Sequence, residues 1–160
     1  SDMYFTRNVK TYDFEMDSTV NILTSKNKMG QWLEPELLNI ETEEYFEYMS
    51  VAGISIDGSY LYLSLGSLDN KELYKCLLSV SSCKNLEKID EKVNSASIQE
   101  RASISPSGEV FYFSSSALEG KGLMDIYSVN INEDGSYGAP KNIDIIKFHY
   151  INVFYIMSHR

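Results

Sequence analysis

Histidine, cysteine, tryptophan and proline are scarce in this chain of 160 residues, which has two His, two Cys, one Trp and three Pro. Each scarcity closes a route. The histidines, His149 and His159, both stand near the C-terminal end. They leave the many serines without a nearby base for a Ser-His-Asp triad, and they supply too few ligands for a zinc centre. No catalytic, metal-ligating or cofactor-binding residue is expected, and no cofactor. Basic side chains are short as well: 14 Lys and Arg oppose 23 Asp and Glu, a net charge of −9. Nucleic-acid binding needs a basic footprint, so nucleic acid is excluded as a partner, and an anionic membrane surface is disfavoured. The acidity has two readings, solubility or a site for a basic peptide or a cation. There is no apolar run of about 18 residues, so no membrane insertion of this segment is expected. The opening Ser1-Asp2-Met3-Tyr4-Phe5 has no basic-then-apolar leader, and strand-like residues begin at once, so the chain is expected to be a piece of something longer.

What the chain has in abundance is aromatic: 12 Tyr and 7 Phe, within a composition that is 43% hydrophobic. Wide rings suit the pleated faces of strands, and the length suffices for one ordinary core. A repeat organises these residues. Ile54-Ser55-Ile56-Asp57-Gly58-Ser59-Tyr60-Leu61-Tyr62-Leu63-Ser64 returns as Ile104-Ser105-Pro106-Ser107-Gly108-Glu109-Val110-Phe111-Tyr112-Phe113-Ser114, at a constant offset of 50 residues. A period of that length signals stacked similar units, which are more often binding surfaces than enzymes.

Each copy opens on a turn. Pro106 presets one corner and Gly108 accepts a positive φ, while in the other copy the Asp57 side chain holds the corner before Gly58. The strands that follow, Tyr60 to Ser64 and Val110 to Ser114, are apolar or aromatic at nearly every position and must be covered on both faces. Polar links come next, Leu65 to Lys71 and Ser115 to Met124, then second strands Glu72 to Leu78 and Asp125 to Ile131. Asn132-Glu133-Asp134-Gly135 reads as a tight hairpin turn, and Pro140 suits an edge strand or its end. An earlier, gapped unit starts with Met3 to Thr6, continues through a polar loop Arg7 to Val20, and aligns Asn21 to Ser25 and Lys28 to Pro35 with the later copies. Asn152 to Ser158 echoes Glu109 to Ser115 and starts a further unit or a divergent tail. Glu34 to Met49 and Asn85 to Asn94, the latter with Leu86, Ile89 and Val93 at helical spacing, are read as a connector and a short outer strand.

Several motifs invite sharper readings and yield to plainer ones. Asn130 to Gly135 imitates the start of a calcium loop, but the position needing a bidentate Glu is Lys141, so the segment is a turn. Gly120-x-Gly122 lacks the third glycine and helix of a phosphate cradle and reads as a flexible link. The acid pairs Glu43-Glu44 and Glu133-Asp134 face solvent. Tyr62, Tyr112, Tyr74 and Tyr127 recur at matched positions and read as core packing. Trp32 is the candidate for an exposed rim contact. Cys76 and Cys83 admit two states, a disulfide across a hairpin in an exported chain or two partly buried thiols in a cytosolic one.

Ser105-Pro106-Ser107-Gly108 with Phe111-Tyr112-Phe113-Ser114, then Gly120-Lys121-Gly122-Leu123-Met124-Asp125-Ile126-Tyr127, then Asp134-Gly135-Ser136-Tyr137-Gly138-Ala139-Pro140, resembles the TolB-type "Pro-Asp" β-propeller repeat. The likeness is closest over Ile98 to Asn142, weaker over Glu44 to Leu78 and partial over Met3 to Pro35. The chain departs from the pattern at Ile56, at Ser107 and at Glu72-Leu73-Tyr74. The resemblance implies an all-β fold of about three four-stranded antiparallel propeller blades, part of a larger propeller. The first blade would be partial (1–45), the second would span 46–97 and the third 98–144, with 145–160 a further blade or tail. Asp57, Gly58, Tyr62, Pro106, Gly108, Tyr112, Gly120, Gly122, Asp125, Tyr127, Gly135 and Pro140 would define the repeat. It further implies a non-enzymatic scaffold in the bacterial periplasm or at the outer membrane, with protein or peptide partners and with missing blades or another copy closing the ring. The alternatives are the propeller of a peptidase or glycan-active enzyme, or an extracellular sensor.

Overall fold

The computed structural model describes residues 2–10, 18–95, 98–116 and 124–143, with side chains from 2–6, 21–95, 98–116 and 124–143. The link glycines Gly120 and Gly122, the histidines His149 and His159, and the echo at Asn152 to Ser158 lie outside the described residues. All regular structure described is β, in three sheets. Sheet one has β1 (Asp2–Lys10) and β2 (Ser18–Lys28), with β3 (Gln31–Trp32) and β4 (Glu36–Leu37) both paired to β2. Sheet two contains β5 (Asn39–Ile40), β6 (Tyr48–Ile54), β7 (Tyr60–Gly66), β8 (Lys71–Leu78) and β9 (Ser82–Lys88), in the order β5-β9-β8-β7-β6. Sheet three is β10 (Gln99–Ile104), β11 (Val110–Ser115), β12 (Asp125–Asn130) and β13 (Lys141–Asn142), in sequence order.

Sheets two and three thus share one plan: four consecutive antiparallel strands, each pairing with the next. In sheet two, β5 adds a parallel strand at the outer edge of β9. The long polar loop expected over Arg7 to Val20 is shorter than that, because β1 runs on to Lys10 and pairs with Ser18 in β2. Ladder hydrogen bonds come from the backbone and need no apolar alternation, so this stretch left little signal in the sequence. Nor do Ile89 and Val93 sit on a helix. β9 ends at Lys88, and both residues drop from the following turn into the core.

The residues of β7 explain how the sheets stack. Leu61, Leu63 and Leu65 point to one side and pack with Ile22, Leu38, Cys76 and Cys83 against sheet one. Tyr62 points to the other side, with Ala52, Leu73, Phe111, Phe113, Tyr127 and Val129, against sheet three. Full burial of each leucine is worth about 2 kcal/mol. A one-residue slip would turn all three toward the wrong sheet, so the register is strongly held. Rings fill the second interface: Tyr62 meets Phe111 edge-on at 5.4 Å, Tyr137 meets Phe111 at 5.5 Å, and Phe113 stacks on Tyr127 at 5.7 Å. Gly53 permits the close approach of β6 to β10, since a Cβ there would run into the Ala102 carbonyl oxygen.

Candidate functional site

In these antiparallel meanders, alternate connections fall at the same end. One end of sheets two and three therefore carries the turns β6–β7, β8–β9, β10–β11 and β12–β13. Three of these are built alike. In the first, the Asp57 carboxylate accepts from Ser55 Oγ at 2.6 Å, from Ser59 N at 3.0 Å and from Ser59 Oγ at 2.7 Å. Ser55 Oγ in turn accepts from Tyr60 N at 2.8 Å. Donation from Ser55, then from the backbone and side chain of Ser59, holds the Asp57 carboxyl down to about 2. In the second turn Ser107 stands where Asp57 does. Its Oγ shares a 3.1 Å hydrogen bond with Ser105 Oγ and accepts a long 3.4 Å bond from Glu109 N. The third repeats the first more closely than its sequence position suggests: Asp134 accepts from Ser136 N at 2.9 Å and Ser136 Oγ at 2.6 Å, which lowers its pKa. Gly58, Gly108 and Gly135 follow these corner residues at φ 72°, 78° and 80°, a region L side chains avoid.

Around these turns Ile54, Ile56, Tyr60, Leu77 and Val80 are exposed apolar side chains. On sheet three, Glu109, Val110, Asn130, Ile131, Asn132 and Glu133 line an open groove of about 560 Å³. Carboxylates and amide oxygens at its rim can accept hydrogen bonds from a cationic or amide-bearing partner. Trp32 is 49% exposed on β3, beside the exposed Met29 and Leu33. Pro140 directly precedes β13. Asp125 begins β12, where it pairs with Ser115. Pro106 occupies the β10–β11 turn.

The four tyrosines of the repeat do not share one environment. Tyr62 and Tyr127 are buried, Tyr74 is half-buried against the edge of Phe46, and Tyr112 is half-buried on the far face of sheet three. Burial pushes the Tyr62, Tyr74 and Tyr127 hydroxyls up in pKa, most strongly for Tyr62, so all stay protonated at neutral pH. Cys76 and Cys83 form a disulfide, Cα–Cα 5.4 Å, that clips β8 to β9 inside the interface with sheet one. Among the described residues no group of His, Cys, Asp and Glu could hold a metal ion, and no helix is long and apolar enough to cross a membrane.

The opposite end holds a feature that the sequence reading missed. There the aromatic interface between sheets two and three gives way to a buried polar layer: Ser50, Ser64, Gln99 and Ser115. Ser50 pairs with Ser64, and Gln99 with Ser115. Ser64 lies on the Tyr62 side of β7, and Ser115 on the Phe111 and Phe113 side of β11, so all four point into the same interface. Ser64 Oγ donates to the Gln99 carbonyl oxygen at 2.6 Å. At the end of this layer Lys71 Nζ meets Glu100 Oε1 at 2.8 Å and sits 4.1 Å above the Tyr48 ring. The available signal was the polar serine that closes each apolar run, Ser64 and Ser114-Ser115.

No family model, no curated protein and no solved structure matches this chain.

Proposed function

We propose that the chain is a β-propeller segment of the TolB-like type, a non-enzymatic scaffold whose turn-bearing rim binds protein or peptide partners in the bacterial cell envelope. One observation carries the reading: the 50-residue repeat has the same meaning in space as in sequence. Odd-numbered residues of β7 pack on the preceding sheet and even-numbered ones on the following sheet, and β11 turns Phe111 and Phe113 back toward sheet two in the same way. Propellers stack four-stranded meanders in this manner around an axis. A ring needs at least four such sheets, so further blades, or another copy, would cover the outer residues Val110, Tyr112 and Ser114. The buried Cys76–Cys83 disulfide favours an oxidising compartment such as the periplasm. The exposed apolar side chains and the carboxylate-rimmed groove at the turn end suit a peptide carrying amide and basic groups.

Two experiments test the reading. Light scattering on the purified 160-residue chain is expected to report self-association driven by the outer face of sheet three, whereas a cooperative monomer would overturn the need for further blades. The complete reading frame tests the function. An OmpA-like domain in the same frame supports an envelope scaffold, and a Gly-x-Ser-x-Gly hydrolase domain overturns it in favour of a peptidase propeller.

A further inference from the structure

The polar layer between sheets two and three is closed off from solvent yet incompletely bonded. Gln99 is fully buried, and neither its side-chain Nε2 nor its Oε1 has a hydrogen-bond partner in the protein. Ser50 Oγ and Ser115 Oγ, buried on the same interface, also lack one. Four polar atoms from three strands are thus buried in a seam otherwise packed with apolar and aromatic side chains. Buried groups of this kind are seldom left unsatisfied, because each has given up its bonds to bulk water.

The chemistry of the group selects its ligand. An amide offers two donors and an acceptor, and each hydroxyl offers one donor and accepts as well. None of the three side chains carries a charge, and the one nearby ammonium, Lys71, is already matched by Glu100 at 2.8 Å. A cation would find no carboxylate among Ser50, Gln99 and Ser115, and an anion would find no positive charge among them. A small neutral molecule that both donates and accepts fits the set, and burial this complete admits little beyond solvent. We propose that Ser50, Gln99 and Ser115 form a binding site for internal ordered water that bridges β6, β10 and β11. Water in such sites makes about three hydrogen bonds to otherwise unsatisfied groups. Glu100 follows Gln99 on β10, and its side chain, 34% exposed, balances the charge of Lys71 beside the layer. The site then has a structural consequence. Bridging water joins sheets two and three at the end where rings no longer do, beside the direct bonds from Ser64 Oγ to the Gln99 carbonyl oxygen, from Lys71 to Glu100 and from Arg101 to the Val51 carbonyl oxygen.

Water-selective NMR on the unmodified chain tests this directly. Magnetisation transfer from long-lived water to the Gln99 side-chain amide protons is expected, with the sign that marks a bound rather than a surface molecule. The Ser50→Ala/Ser115→Ala double variant keeps the Gln99 amide as reporter and is expected to lose most of that transfer. Absence of transfer in the unmodified chain overturns the proposal, as does a through-bond coupling showing the amide bonded directly to a protein oxygen. Transfer that persists at full strength in the double variant also overturns the assigned ligands. Because the primary measurement needs no substitution, a variant that fails to fold leaves the proposal open to refutation.

Discussion

Sheets two and three are built from the same repeat, yet their equivalent strands live in different surroundings. β7 is buried at five successive positions, Leu61 to Leu65, whereas β11 alternates between buried and half-buried residues. Tyr62 is 3% exposed beneath sheet three, and its counterpart Tyr112 is only half-covered. Gly53 lets sheet three approach, while the equivalent residue of β10 is Ser103, on a strand face with no such demand. The Asp57 corner holds a tight carboxylate, and the Ser107 corner a loosely bonded hydroxyl. Equivalent local sequence therefore carries different constraints according to whether another sheet lies on top.

The largest contrast is expected at the rings. Phe111→Ala empties the centre of the second interface and should cost about 4 kcal/mol in urea denaturation. Tyr112→Ala should cost under about 2 kcal/mol because less of it leaves water. Equal losses would mean that the outer face of sheet three is covered as fully as the inner one. Next comes the backbone approach. Gly53→Ala should lose about 3 kcal/mol by forcing β6 from β10, since the obstacle is a carbonyl rather than a side chain that can swing away. Ser103→Gly should stay within about 1 kcal/mol, and a reversed order would sink the account of the interface.

The disulfide gives a third contrast, because Cys76 lies opposite Leu61 on β7 whereas the residue opposite Phe111, the counterpart of Leu61, is Val129. Replacing both cysteines by alanine should cost about 2 kcal/mol, as the clipped loop is short. Melting with and without reductant checks it, and no reductant effect would contradict a formed clip. The smallest effect concerns acid. The folded Asp57 carboxyl sits at about 2, below its ordinary 3.8. Its contribution is therefore complete above about pH 4 and fades as the pH falls through about 2. Asp57→Ser should flatten the stability profile across that window, and Ser107→Asp should introduce a similar slope in the second corner.

Much of the fold was legible because turn chemistry and strand alternation are local. The runs that open at Tyr60 and Val110 predict strands, and β7 and β11 begin there. Asp57-Gly58 and Ser107-Gly108 predict corners because glycine tolerates a positive φ, which Gly58 and Gly108 adopt. Less visible were features that depend on distant partners. Asn94 closes the edge of β8 by accepting from Leu73 N at 2.7 Å and donating to the Leu73 and Ile89 carbonyls, a role no spacing announces. Gln99 looks like an ordinary surface residue in sequence and is fully buried. The two cysteines permitted either redox state until the β8–β9 hairpin brought their Cα atoms within 5.4 Å.

By itself the sequence determined that this chain is made of strands, where the glycine corners fall, and that two units repeat at 50 residues. Those properties follow from backbone conformation and side-chain alternation, which act over a few residues. Only the tertiary structure decided which copy of a shared residue is buried, which glycine must remain a glycine, and where a polar layer interrupts the core. Burial is conferred by a neighbouring sheet, and a strand's own residues cannot say whether that neighbour is present.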